Sequence, residues 1–374
     1  KSSSMNIFEY QLFLRRSAPA PFSAANQLLS EQKLLEMDRR DGEDHVSNKD
    51  PNEVQFDSEL DHMVDEIIMK AESGELIESL DLFDRQLAVL PEDFGRIAGL
   101  RSLILSRNQL EMLPDSISGL ELLEHLDVAS NLLSALPDAI GLLPKLKVLR
   151  VSGNNLTKLP DSIALCNSLV ELDASFNNLV CLPRNIGYGL PNLNQLSIQL
   201  NDIRSFPSSI CELSSLRYLD AHFNAISALP HAFGRLRSLQ TLNLSNNFSD
   251  LTDLPRSFGD LANLRELNLS NNQIRRLPDT FGKLENLTDL LLDGNPLAVP
   301  PRDVVANGVR AIQEYMKKRW EDMAAEEIES KRTEAAGVGW MGWGISTIGS
   351  VASVISQTFG GGEGETDPYL DQLL

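Results

Sequence analysis

Leucines along this chain alternate with polar residues at two different periods, and the two periods take turns. In residues 264–284, "LRELNLSNNQIRRLPDTFGKL", Leu267 and Leu269 alternate with Glu266, Asn268 and Ser270, a period of two that predicts a short strand with leucines turned inward. Leu277-Pro278 then breaks the strand, and the segment to Leu284 is expected to return along the other side as a short helix or irregular turn. Longer helical spacings flank this region. Leu60, Met63, Val64, Ile67 and Ile68 follow Asp57-Ser58 and end near Gly74, which predicts a front helix. Val304, Val305, Val309, Ile312, Tyr315, Met316 and Trp320 mark one face of a single long helix after Pro300-Pro301, reaching to about Glu334. A weaker helical pattern spans residues 26–40 and precedes an acidic linker, "DGEDHVSNKDPNE".

The strand pattern repeats. Asn108, Asn131, Asn154, Asn177, Asn201, Asn224, Asn247, Asn272 and Asn295 are spaced by 23 residues, or by 24 or 25 at two steps, each inside LxxLxLxxNxL or a close variant. That is a leucine-rich repeat. One further unit, "SLDLFDRQLAVLP", carries Arg85 where the asparagine belongs, so ten units run over residues 76–299. A single unit cannot bury its leucines alone, and stacked units do. The predicted fold is therefore an α/β leucine-rich repeat solenoid, a horseshoe with a concave parallel sheet and helical caps. Strands about 4.8 Å apart make that sheet roughly 43 Å along its inner curve. Each asparagine is expected to serve the backbone of neighbouring turns, forming a structural ladder. The division predicted is 1–50, an N-terminal segment with the acidic linker; 51–75, a capping helix; 76–299, the repeats; 300–336, a C-terminal capping helix; and 337–374, an uncharged segment and tail.

Charge changes the picture by excluding partners. The formal charge is −20, and residues 31–79 hold 16 acidic against 5 basic side chains, while no long basic stripe occurs anywhere. Nucleic acid is accordingly not an expected partner. Cys166, Cys181 and Cys211 show no paired spacing and are expected to be buried small hydrophobes in a reducing compartment. Residues 7–14 are apolar, but Arg15-Arg16 follow the run instead of preceding it, unlike a secretory signal. Sequons such as Asn243-Leu-Ser245 arise from the repeat itself and are expected to go unused. The uncharged stretch 337–362 has Met341, Ile345, Ile348, Ile355 and Phe359 on one helical face, which favours an amphipathic docking helix over a membrane span.

The 23-residue period with its LPxxIGxL half resembles the intracellular Ras-group leucine-rich repeat proteins. The helical acidic front and Gly337-Val338-Gly339-Trp340 past the array are similar to the plant intracellular Ras-group-related family, with Gly339 where that family has tyrosine. The resemblance covers about residues 24–345. It implies a cytoplasmic interaction protein in plant signalling or development, without catalytic activity, in a Ras-type small GTPase or kinase pathway, and it does not name the partner.

Chemistry was sought along the chain as well. HExxH, CxxC, GxSxG and GxxxxGK[ST] do not occur, and the five histidines are scattered. No catalytic, metal or cofactor-binding residue is predicted, and the cofactor expectation is none. The repeat register places Asp81, Ile104, Asp127, Arg150, Asp173, Ser197, Asp220, Asn243, Asn268 and Leu291 in one outward column. Asp127, Asp173 and Asp220 make its first part acidic, and its expected place inside a concavity favours attraction of a basic partner patch over a solvated face that only aids solubility. At the position before each ladder residue, Phe176, Leu200 and Phe223 fall in line, with Tyr218 and His222 beside them. Two readings stand: a partner-binding site on the concave face, or rings folded over neighbouring turns that thicken the core. The unit carrying Asn247 is two residues longer, which is read as neutral. The function expected is a non-enzymatic protein–protein interaction scaffold. The alternatives are a regulatory subunit of a phosphatase or other enzyme, and an adaptor in membrane contact through residues 338–359. Self-association is left open.

Overall fold

The computed structural model describes residues 65–71, 73–97, 99–247 and 251–337. Segment 1–64, with the helical pattern at 26–40 and with Leu60, Met63 and Val64, lies outside the described residues, as do 338–374 with the uncharged stretch.

Ten three-residue strands form one parallel sheet in sequence order: β1 Ser79–Asp81, β2 Ser102–Ile104, β3 His125–Asp127, β4 Val148–Arg150, β5 Glu171–Asp173, β6 Gln195–Ser197, β7 Tyr218–Asp220, β8 Thr241–Asn243, β9 Glu266–Asn268 and β10 Asp289–Leu291. The central leucines pair in register, from Leu80 with Leu103 through Leu267 with Leu290. Those of β2 to β9 are buried, while Leu80 and Leu290, with a neighbouring strand on one side only, are half-buried. That is the burial a stack of mutually shielding units requires.

The strands stop after three residues because the chain turns through a left-handed residue. Nine non-glycine residues, Asp84, Gln86, Arg107, Ser130, Phe176, Leu200, Phe223, Asn246 and Asn271, have φ between 51° and 59°, and all but Gln86 immediately precede a ladder position. Gly153 and Gly294 occupy that same place in their own units at φ 67° and 74°. The asparagine that follows then serves three backbone groups. Asn224 Oδ1 accepts from Ile203 N–H at 3.0 Å, and its Nδ2 donates to Ile198 O at 3.0 Å and Ala221 O at 3.2 Å. Asn131, Asn154, Asn177 and Asn201 make the same three bonds one unit apart.

On the opposite side Leu-Pro pairs lead into 3₁₀ turns at Asp115–Gly119, Asp138–Leu142, Asp161–Leu165, Arg256–Asp260 and Asp279–Lys283, Phe206-Pro207 leads into Ser208–Glu212, and Leu182-Pro183 leads into the α-helical turn Ile186–Gly189. The proline sits at the N-cap in extended conformation, where its missing N–H is not needed. These turns pack closely. A Cβ on Gly187 would stand 1.5 Å from Ser209 O, so only glycine fits there. In the later units Phe233, Phe258 and Phe281 replace isoleucine beneath the turns, and with Phe206, which holds the leucine place before Pro207, they stack at centroid spacings of 6.2–6.5 Å.

Helical residues 65–71 (α1) put Ile68 into the core, with Ile67 and Ala71 against it, and end before Gly74 at φ 92°. At the back the single helix expected from Val304 onward is two: α2, Arg302–Ala306, and α3, Val309–Gly337. Gly308, at φ 87°, separates them, since a left-handed residue cannot continue the helix. Ile312 and Met316 of α3 are buried, and Gln313 Nε2 donates to Leu284 O at 2.6 Å. A Cβ on Gly282 would stand 2.6 Å from Lys317 N, so α3 takes the place of the next unit's turn. Arg319 pairs with Asp279 at 3.2 Å, and the Trp320 ring lies under Arg256 and Lys283, 4.8 Å and 5.7 Å from its centroid. The chain divides into two compact units after Trp320; beyond it α3 runs on to Gly337 with an ion pair between Lys331 and Glu327.

Candidate functional site: the outward face of the sheet

The first and third residues of each strand point away from the core. Twenty such positions carry seven carboxylates (Asp81, Asp127, Glu171, Asp173, Asp220, Glu266 and Asp289) against one guanidinium, Arg150. Arg150 Nε donates to Glu171 Oε1 at 2.9 Å, and that hydrogen bond, with Asp127 and Asp173 nearby, raises the guanidinium pKa further. Along the third strand residues Asp81, Asp127, Asp173 and Asp220 thus alternate with Ile104, Arg150 and Ser197. At the strand entry Glu124 lies between Lys147 (2.6 Å) and Arg101 (2.7 Å), whose hydrogen bonds hold its carboxyl below the usual range.

The third strand residue has a structural task that sequence alone did not disclose. Asp81, Asp127, Asp173 and Asp220 each accept, through Oδ1, the backbone N–H two residues on, at 2.9–3.1 Å. Asn243 and Asn268 do the same for Ser245 and Ser270, at 3.1 and 3.0 Å. These are Asx turns, and they hold the backbone as it leaves the strand. An amide oxygen and a carboxylate oxygen perform this task alike. The negative charge of Asp127, Asp173 and Asp220 is thus additional to what the turn needs.

The left-handed position gives a parallel argument. An L-residue there costs roughly 1–2 kcal/mol, which glycine avoids, as Gly153 and Gly294 illustrate. Phe176, Leu200 and Phe223 accept that strain at φ 53°, 57° and 51° in three consecutive units. All three are half-buried and belong neither to the buried core cluster nor to the partly buried side chains packed against it. Their apolar bulk is also additional to what the fold needs.

Beside this line the groups converge around Asp220, which is 6% exposed. His222 Nδ1 lies 2.6 Å from Asp220 Oδ1, and the Tyr218 hydroxyl donates to Asp220 Oδ2 at 3.2 Å. Burial, then the Asp220 charge and hydrogen bond, push the Tyr218 phenol up to about 12, so it remains a donor across the neutral range. His222 packs edge-on against Phe223, with centroids 5.4 Å apart. Asn243 Nδ2 is 3.2 Å from the same imidazole nitrogen. The cluster fixes ring orientations on an open face, and none of its hydrogen bonds brings a hydroxyl or thiol nucleophile onto the imidazole. Among the described residues no three His, Cys, Asp or Glu side chains gather as a metal site.

Two side chains that the sequence reading passed over belong here. Gln199, between Ser197 and Leu200, keeps Oε1 buried with no donor among the described residues. Asn271 Nδ2 donates to Asn246 Oδ1 at 2.8 Å, linking the left-handed positions of two units into an amide shelf. Both were legible in principle, since the register that gives the Phe176 line also gives these columns. His125 lies exposed at the start of β3, four units from the Asp220 cluster along the strand order. One expectation is overturned: Cys181 is exposed, in the loop after the ladder turn, whereas Cys166 and Cys211 are buried and their thiols are pushed up to about 11 by burial.

Comparison with known proteins follows the same lines. A family model described as leucine rich repeat matches residues 123–179, 167–226, 191–248, 226–274 and 248–297, and a second leucine-rich repeat model matches 99–120. Plant intracellular Ras-group-related LRR protein 3 of Oryza sativa subsp. japonica is 68% identical over 324 residues, covering 84% of this chain and 73% of that protein. The Arabidopsis thaliana protein of the same name is 52% identical over 149 residues, 38% of this chain and 32% of its own length. Among solved structures, a TDR receptor crystal structure aligns at 30% identity with a TM-score of 0.50, covering 59% of this chain and 44% of that one. Among the described residues no helix is long and apolar enough to cross a membrane.

Proposed function

Because the chain belongs to the plant intracellular Ras-group-related leucine-rich repeat proteins, we propose that it is a non-enzymatic scaffold that holds a partner protein against the outward face of β3 to β8. The observation that carries this reading is the coincidence of two surpluses on one face. The Asx turns accept asparagine, yet three units supply aspartate. The left-handed turns accept glycine, yet Phe176, Leu200 and Phe223 stand there. Half-buried aromatic and aliphatic groups inside a charged surround are the composition of an interface centre with a polar rim.

The partner this face suits is a basic one. Asp127, Asp173 and Asp220 stand on one outward sheet face, the face a leucine-rich repeat array is expected to curve around, and Arg150 leaves the balance negative. By resemblance we take that partner to belong to a Ras-type GTPase or kinase pathway of plant signalling in the cytoplasm; of this the relatives' name itself carries only the words plant, intracellular and Ras-group-related. The amide shelf offers hydrogen-bond partners to a polar rim.

The test is replacement of Phe176, Leu200 and Phe223 together by serine, with the fold checked by circular dichroism, followed by capture of the partner from plant extract and mass spectrometry. Loss of the captured protein supports the site. Unchanged capture by the folded variant refutes it, and purified chain turning over a small metabolite unaided refutes the non-enzymatic reading.

A further inference from the structure

The sheet ends at β10 with its backbone ladder incomplete. Between units, Leu82 and Asp84 N–H donate to Ile104 O and Ser106 O of the next strand region, while Glu78 O accepts from Arg101 and Ser102 N–H. The last pair of units repeats this: Leu269 and Asn271 N–H donate to Leu291 O and Asp293 O, and Arg265 O accepts from Thr288 and Asp289 N–H. On the far side of β10 the register gives the same roles to Leu292 N–H, Gly294 N–H and Thr288 O, and none of the three has a hydrogen-bond partner among the described residues. Helix α3 fills the turn position of a following unit, against Gly282, whereas β9 is the one element packed along β10 among the described residues. Leu290 shows the consequence. It is half-buried, where Leu267, its neighbour in register, is 2% exposed.

We propose that β10 is a docking edge that takes an extended segment of a partner protein as an eleventh strand, with basic residues flanking an apolar centre. Backbone groups set the shape of this occupant. Donors and acceptors spaced along a strand edge are satisfied by another strand, whose N–H and C=O groups face sideways, whereas a helix uses its own groups internally. Side chains set the chemistry. Asp289, Leu291 and Asp293 alternate along the outward face, all three exposed, Leu291 by 51%. No ion pair engages either aspartate among the described residues, and β9 adds Glu266 and Asn268 beside the first two positions. The cation nearest in register, Arg265, stands at the strand entry in line with Thr288, ahead of both aspartates. A strand with Lys or Arg opposite each aspartate and an apolar residue opposite Leu291 matches that face, and its inward residues cover Leu290. The front edge is different. There Ser79, Asp81 and Phe83 hold the equivalent places, with one carboxylate and with Arg107 5.5 Å over the Phe83 ring. A second copy pairing antiparallel through β10 about Leu291 would set Asp289 opposite Asp293, like charges directly opposed, and is the poorer occupant.

This edge stands or falls independently of the sheet face, and the experiment keeps them apart. In the full chain alone, the Leu292 and Gly294 amides are expected to exchange at least about 100-fold faster than their paired counterparts, Leu269 and Asn271. The probe is a fluorescein-labelled peptide with the core Lys-Leu-Val-Leu-Lys, glycine at each end. Two controls share its side chains. One is N-methylated on the lysine and valine amides, which face β10 in parallel register; the other is N-methylated on the leucine amides, which face away. Anisotropy against the full chain is expected to show the first control binding at least about tenfold more weakly than the parent and the second within about threefold of it. Exchange at Leu292 and Gly294 should slow when the parent peptide is bound. Asp289→Asn/Asp293→Asn keeps the side-chain oxygens, removes the charge, and should weaken binding several-fold at low salt. Phe176→Ser/Leu200→Ser/Phe223→Ser should leave it unchanged. Equal binding of the two methylated peptides, or bound peptide that leaves both amides exchanging as before, overturns the proposal. So does slow exchange at both amides in the chain alone, since another part of the chain or a second copy would then already fill the edge.

Discussion

Removing one ladder side chain should open the array locally by an amount that can be worked out bond by bond. In Asn224→Ala, Ile203 N–H loses its acceptor at 3.0 Å, and the site is 1% exposed, so no bulk water replaces it. An orphaned buried amide costs about 1–3 kcal/mol. The two carbonyls fare better, because each is shared: Ile198 O still accepts from Asn201 at 3.0 Å, and Ala221 O from Asn247 at 3.4 Å. The total is therefore about 2–3 kcal/mol, dominated by the amide. Unfolding of a repeat array need not be two-state, so a single global midpoint is a poor reading of that number. Hydrogen exchange read at the Ile203 amide is the sharper assay, and at 1.4 kcal/mol per tenfold its protection should fall about 30-fold or more. Protection within threefold of the parent would refute the reasoning, because the amide would then have found another partner.

Three further outcomes follow from the same geometry. Phe223→Gly removes a large side chain from a left-handed residue outside the core cluster, so stability should change by no more than about 1 kcal/mol; a loss in the range of about 3–5 kcal/mol, as for a buried phenylalanine, would place the ring in the core after all. At pH 8 iodoacetamide should modify Cys181 in the native chain, while Cys166 and Cys211 react only on unfolding; mass spectrometry after tryptic digestion reads this directly. The folded thiols of Cys166 and Cys211 sit at about 11, above the ordinary thiol, so their contribution is complete below about pH 8.5 and lost as pH rises towards 11. Urea midpoints should accordingly decline across that window, and less so in Cys166→Ala/Cys211→Ala.

The repeats were legible because their determinants are local and periodic. Leucine alternation gives β1 to β10 and asparagine spacing gives the register, so the columns holding Phe176 and Asp173 could be drawn before any coordinates. What was hidden depends on backbone conformation, which residue identity does not fix. Nothing in the letter at position 176 or 223 marks a left-handed φ; only the glycines at 153 and 294 hinted at it. The Asx turns were concealed for a similar reason, since aspartate in an outward column reads as charge before it reads as a hydrogen-bond acceptor. Gly308 splits the rear helix through its conformation, while the apolar spacing runs on undisturbed from Val304 to Trp320. Cys181 was misjudged because it falls in the loop beyond the ladder, where the repeat imposes no burial.

The central claim concerns where a partner rests, and hydrogen exchange of the full chain with and without its captured partner addresses that most directly. Added protection is predicted at residues 173–176, 197–200 and 220–223, the three segments that lead from strand into left-handed turn. A bound partner that leaves all three segments exchanging as in the free chain would contradict the account.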